Sequence, residues 1–218
     1  MVTSIKQVPI PVGGLDTRSA LSDMPEGNAV VMDNWFPGTE KITLRKGFEA
    51  HATGLPGDVE SLITYTSLTG AGKMFAASGT AIYDVTSAGA VGAAVVTGLT
   101  NARFQYVQIG TSGGNFILIM NGADTPRTYD GTSWANTTIT GPTVANLIWC
   151  GLHQRRLWFG EKDKLSAWYL AVDSIGGAAT EFPFAGVARL GGYLVGMWTW
   201  TRDAGDGSDD VAIFLTSE

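Results

Sequence analysis

The sequence predicts an all-β fold assembled from repeated short antiparallel sheets. Two observations carry that expectation. The first is composition: glycine makes up 29 of 218 residues, aromatic residues 10% and charged residues only 16%. Low charge with many aromatic residues argues against disorder, and many glycines imply many tight turns. The second is a repeat that begins at residue 59. Each unit reads as an apolar strand, a turn, a second apolar strand, a turn, and a third strand carrying an aromatic residue.

Taken in order, residues 1–58 come first and differ from the rest. They carry five of the eight prolines, at positions 9, 11, 25, 37 and 56. Within them, 27–35 predicts one short helix, capped by Asn28 with Val31 and Trp35 on one face. Alternation over 42–48 predicts a strand. The region reads as an extended, proline-stiffened N-terminal arm.

The repeat units span about 59–100, 101–142, 143–185 and 186–218. Strands are expected at 61–66, 73–78 and 81–85, then at 104–109, 115–120 and 126–129, then at 146–151, 156–160 and 166–170. The fourth unit supplies 193–198 and 211–215 and has no third strand. Phe75, Phe116 and Trp158 hold equivalent places, 41 and 42 residues apart, with Ile213 or Phe214 about 55 further on. A period of ~40–50 residues with three or four short strands is the signature of a β-propeller, here about three and a half blades. Turn chemistry at Asn121-Gly122 and Asp130-Gly131 agrees. A β-sandwich also spaces strands regularly, but a regular unit of this length is not expected of one.

The unfinished last unit leaves an unpaired strand edge. The strand near Ile42 would complete that sheet, or a neighbouring subunit would, or the chain is the front part of a longer one.

Chemistry is sparse. A net charge of −6 argues against gripping nucleic acid over the whole surface. The single cysteine, Cys150, sits at an alternate position in an apolar strand, where core packing is expected. Neither His51 nor His153 has a partner at metal-ligand spacing, and His153 reads as part of a solvated turn. Asp203, Asp206, Asp209 and Asp210 form the one weak metal candidate, a calcium-like loop that lacks the bidentate Glu of an EF-hand. Strand tryptophans 149, 158, 168, 198 and 200 are expected in the core. No catalytic set and no cofactor is predicted. The first residues carry no apolar run of signal-peptide length, and no apolar stretch is long enough to span a bilayer.

Several segments resemble a known family. They are Gly13-Gly-Leu-Asp-Thr-Arg18, Leu21-Ser-Asp-Met-Pro25, Asn28-Ala-Val-Val-Met-Asp-Asn-Trp-Phe-Pro37 and Leu44-Arg-Lys-Gly-Phe48, with the later Tyr83-Asp84, Tyr129-Asp130 and Val172-Asp-Ser-Ile-Gly-Gly-Ala-Ala-Thr-Glu-Phe182. Together they look like the neck and tail-tube proteins of short-tailed bacteriophages, which include the packaged-DNA stabilisation or head-completion proteins. The resemblance implies a virion structural subunit in a ring, commonly sixfold, beneath the portal and its adaptor. DNA would pass through the lumen without sequence-specific binding, and synthesis would be in the host cytoplasm. Candidate subunit-interface residues are then Trp35, Phe36, Arg45 and Lys46 in the arm, and Val211, Ile213 and Leu215 on the open strand. Two rivals stand beside this reading. One is a carbohydrate-binding or hydrolysing module such as a tail fibre, which needs an exposed aromatic platform or two facing carboxylates. The other is a host-side protein-interaction propeller.

Overall fold

A computed structural model describes residues 9–68, 70, 72–203, 205 and 207–218. The chain divides into two compact units, Met1–Glu49 and Ala50–Glu218.

The first unit holds four very short strands. β1 (Gly14–Leu15) pairs in parallel with β2 (Asn28–Ala29), and β3 (Trp35–Pro37) pairs antiparallel with β4 (Ile42–Leu44). The helix expected over 27–35 is absent. Asn28 does not cap anything: its side-chain amide donates to Asp16 at 3.1 Å, while its backbone pairs with Gly14. Asn34 lies at φ 63°, in the left-handed region that breaks a helix. Asp16 also accepts the backbone N–H groups of Arg18 and Ser19, each at 3.0 Å. Those bonds, the one from Ser19 first, hold its carboxyl well below the usual carboxylate range. Nor does the strand near Ile42 complete the last sheet, because its partner is β3.

The second unit is four consecutive antiparallel sheets. β5 (Ala52–Thr53) leads in. The first sheet is β6 (Val59–Tyr65), β7 (Lys73–Ser78) and β8 (Ala81–Asp84), followed by β9 (Gly89–Ala90). The second is β10 (Gln105–Thr111), β11 (Gly114–Met120), β12 (Arg127–Tyr129) and β13 (Trp134–Asn136). After β14 (Ile139–Thr140) and one 3-10 turn, the third is β15 (Leu147–His153), β16 (Arg156–Glu161), β17 (Ser166–Tyr169) and β19 (Thr180–Pro183). β18 (Gly177–Ala178) pairs in parallel with β14, as β9 does with β5, so the same short clasp recurs in the first and third units. The fourth sheet is a hairpin of two long strands, β20 (Leu194–Asp203) and β21 (Ser208–Thr216). The chain is therefore nearly all β, with no α-helix among the described residues. The second and third sheets each have a fourth strand beyond the three expected.

Strand alternation gives every sheet two faces, and the packing assigns them. Ile63, Phe75, Ala77 and Ile82 of the first sheet meet Ile117, Ile119 and Tyr129 of the second in one core. Ile109, Leu118 and Met120, on the other face of the second sheet, meet Leu147, Leu157 and Phe159 of the third. Trp149 and Ala167, on the other face of the third, meet Leu194, Met197 and Phe214 of the fourth. Each sheet thus sets a front face against the rear face of its successor. The register fixes the equivalence: the pairs Ile63–Phe75, Ile109–Phe116, Gly151–Trp158 and Trp198–Ile213 occupy the same place in successive sheets. Ile213, not Phe214, therefore continues the series of Phe75, Phe116 and Trp158.

The first strands of successive sheets are also laced together. Gln108 clasps the backbone of Thr66, accepting its N–H at 2.9 Å and donating to its carbonyl at 2.8 Å. Thr199 donates to the Leu152 carbonyl at 3.1 Å. The Tyr-Asp pairs have a turn-making role. Asp84 accepts the N–H of Thr86 at 2.9 Å and the Lys73 ammonium at 2.8 Å, and Asp130 accepts the N–H groups of Thr132 and Ser133.

Cys150 packs beside the core between the second and third sheets. Burial pushes its thiol up to about 12. The folded chain therefore favours the protonated thiol. Its share of stability is intact below the ordinary value of 9.0 and falls as pH rises from there toward 12. We expect Ellman's reagent at pH 8 to leave Cys150 unlabelled in the native protein and to titrate one thiol after denaturation; fast native labelling would contradict this placement.

Candidate docking site

The fourth sheet differs from the others in what covers it. Its rear face carries Met197, Thr199, Ala212 and Phe214 and lies on the third sheet. Its front face carries Gly196, Trp198, Trp200, Val211, Ile213 and Leu215, by the cross-strand pairs 196–215, 198–213 and 200–211. Nothing covers it. Trp198 is 55% exposed and Trp200 65%, whereas Trp149, on the equivalent front face of the third sheet, is 6% exposed. Val211 and Leu215 are exposed and Ile213 is half-buried.

Both faces hold an indole close to a glycine, by different routes. Trp149 packs against its cross-strand partner Gly160, where an added Cβ would sit 2.0 Å from the indole Nε1. Trp198 reaches back along its own strand to Gly196, with its ring 2.8 Å from the Cβ position. The expectation that Trp198 and Trp200 are core residues is thus corrected. They stand on a strand as core residues do, but on the face that has no successor.

The arm candidates are exposed as well. Trp35, Phe36, Leu44 and Phe48 all face solvent, Phe48 at 93%, and Arg45 and Lys46 project beside them. Among residues 9–49 only Gly14 is buried. Among the described residues 9–49, then, no large apolar side chain is buried, and burial of that kind is what offsets the entropy of ordering a chain.

Of the remaining sequence candidates, Asp209 lies opposite Arg202 at the hairpin end of the same front face, and the others lie apart from these surfaces or serve the fold. Asp203, Asp209 and Asp210 are exposed at the hairpin end, where Asp210 accepts the Thr201 hydroxyl at 2.7 Å and Asp203 the N–H of Gly205 at 2.9 Å; Asp206 lies outside the described residues. Among the described residues no three His, Cys, Asp or Glu groups gather as a metal site would need. His153 is buried rather than solvated, because the turn consists of Gln154 and Arg155, at φ 47° and 61°, a two-residue type I′ hairpin. Its Nδ1 lies 3.2 Å from the Thr199 hydroxyl. Arg155 is held by Asp173 in a forked ion pair, and the Arg156 guanidinium lies 5.5 Å over the ring of Tyr169.

Glu161, unremarked in the sequence, is a buried carboxylate that accepts the Thr143 N–H at 3.0 Å and the Trp168 indole N–H at 2.9 Å. It ties the third sheet to the strand connection before it. A cavity of about 530 Å³ is lined by the Lys73–Asp84 pair, Tyr129 and Trp134. Another of about 320 Å³ is lined by His153, Arg156, Trp158, Tyr169 and Phe182. Neither brings two carboxylates or a nucleophile and base together among the described residues. Among the described residues, no helix is long and apolar enough to cross a membrane. In comparisons with known proteins, the chain matches no family model, no curated protein and no solved structure.

Proposed function

We propose that this chain is a structural subunit of a phage neck or tail, built as an incomplete β-propeller and assembled with copies of itself into a ring, sixfold by the resemblance. In that ring it completes the head, contacts the portal and its adaptor, and conducts or retains packaged DNA. The observation that carries the reading is the arm: a segment of some 40 residues with exposed Trp35, Phe36, Leu44 and Phe48 and no core of its own. Such a segment gains stability by lying on a partner. The four-sheet stack, each front face on the next rear face, supports a propeller-like arrangement. The net charge of −6 suits a channel in which DNA slides rather than sticks.

One observation favours a second reading. Trp198 and Trp200 form an exposed aromatic pair about 7 Å apart along one strand face, which is where a sugar would stack. Against it, Val211, Ile213 and Leu215 on that face offer a sugar's hydroxyls no hydrogen bonds, and its polar pair Arg202–Asp209 lies only at the Trp200 end.

The arm is tested by Phe36→Asp together with Phe48→Asp, both at exposed positions. Light scattering should then report a smaller species than for the unaltered chain, with an unchanged β-rich circular dichroism spectrum. An assembly of unchanged mass would show that the arm joins nothing.

A further inference from the structure

We propose that the open front face of the fourth sheet is covered by the rear face of the first sheet of a second copy, head to tail. This rests on the ring reading and names the contact that would build the ring.

The molecule itself shows what such a face takes. Three times in succession a front face is covered by the rear face of the next sheet, never by another front face. The fourth front face likewise carries large apolar side chains, Trp198, Trp200, Val211, Ile213 and Leu215.

The first sheet has the one rear face in this stack with no preceding sheet. It carries Val59, Leu62, Met74 and Tyr83, with Leu62, Ala76 and Tyr83 in one cross-strand row. Leu62 is 56% exposed and Val59 42%, and Met74 and Tyr83 are half-buried. Tyr83 holds the place taken by Tyr129 in the second sheet and Trp168 in the third, through the pairs 76–83, 117–129 and 159–168. Tyr129 there meets the preceding sheet's Phe75 edge-on at 4.9 Å. Tyr83 is thus a rear-face aromatic without its front-face partner, and Trp198 and Trp200 are front-face aromatics without theirs.

Area and charge agree. Two indoles more than half exposed, with three aliphatic side chains, offer on the order of 400–500 Å² per side, since a full aromatic side chain buries ~150–250 Å². Both sides together reach roughly 800–1,000 Å², at the lower edge of a specific interface. The next cross-strand pair on the front face, Arg202–Asp209, lies at the hairpin end and is of opposite sign, so the apolar centre of the contact carries no charge. The two faces differ, so the contact is heterologous, and it closes as a ring where the rotation from copy to copy returns on itself.

The test is cross-linking between two full-length variants, one Leu62→Cys and the other Val211→Cys carrying a mass tag. The reagent is a bismaleimide that spans the ~10 Å between packed sheets. The unaltered chain, whose Cys150 is protected, gives the background. The mixed adduct should exceed either like-with-like adduct at least tenfold. A dominant Val211→Cys self-adduct would overturn the proposal in favour of face-to-face pairing. An assembly seen by light scattering with no adduct above background would place the contact elsewhere, refuting this proposal while leaving the ring reading standing. A monomer would refute both. Oligosaccharide binding that shifts tryptophan fluorescence without self-association would assign the face to sugars instead.

Discussion

Replacing Phe159 by alanine is expected to cost about 3–5 kcal/mol of folding stability, a shift of roughly 10 °C or more in the thermal midpoint. Phe159 is wholly buried at the centre of β16, on the rear face of the third sheet. It packs among Leu118 and Met120 of the second sheet and Leu147, Leu157 and Leu170 of its own unit. Truncation removes most of a ring and leaves a cavity between two sheets whose backbones are pinned by their own ladders and cannot close on it. Phe48→Ala, at 93% exposure, should by contrast shift stability by no more than ~0.5 kcal/mol. Denaturant unfolding followed by circular dichroism, at one protein concentration for both, makes the comparison. A loss below about 1 kcal/mol for Phe159→Ala would contradict the front-to-rear packing of the second and third sheets.

The combined change Trp198→Asp and Trp200→Asp should do the reverse: leave the fold and abolish the assembly. Both side chains are more than half exposed, so their loss removes little from the core. Relief of an exposed apolar patch offsets part of what is lost. At an interface, however, buried tryptophans are the residues that dominate binding, at about 2 kcal/mol or more each. Two carboxylates in the apolar centre of the contact add desolvation to that loss. Association should weaken at least ~100-fold while the unfolding midpoint of the monomer changes little. Sedimentation velocity over a concentration series reads the first, and thermal unfolding the second. A variant that still assembles at the original concentration would remove this face from any interface.

The two predictions rest on residues that look alike in the sequence. Phe159 and Trp198 are both aromatic, both on strands and both flanked by apolar neighbours. The strands themselves were legible, because aromatic residues recur 41 and 42 residues apart and turn residues separate the runs. Which face of a strand is covered was not. In a stack where front and rear are both apolar, alternation cannot say which one meets solvent; packing against a neighbouring sheet decides, and no described sheet packs on the front of the fourth. The fourth strands β13 and β19 also escaped. Trp134–Asn136 is three residues long, and Thr180–Pro183 ends on a proline, which normally demotes a strand to an edge. That is where it lies: β19 is the outer strand of its sheet. The helix expected at 27–35 was a capping signal misread, since the Asn28 side chain is engaged by Asp16 and the Asn34 backbone turns left-handed. Of the site, Val211, Ile213 and Leu215 were chosen for lying on an unpaired edge. They do lie on a strand paired on one side only, and they also share a broad face with two tryptophans that the sequence had assigned to the core.

The central claim is assembly, and native mass spectrometry of the full chain tests it most directly. With a protomer of 23.0 kDa, the expected spectrum is dominated by a single integer multiple, the sixfold species. A spectrum dominated by the 23.0 kDa monomer at micromolar concentration would contradict it.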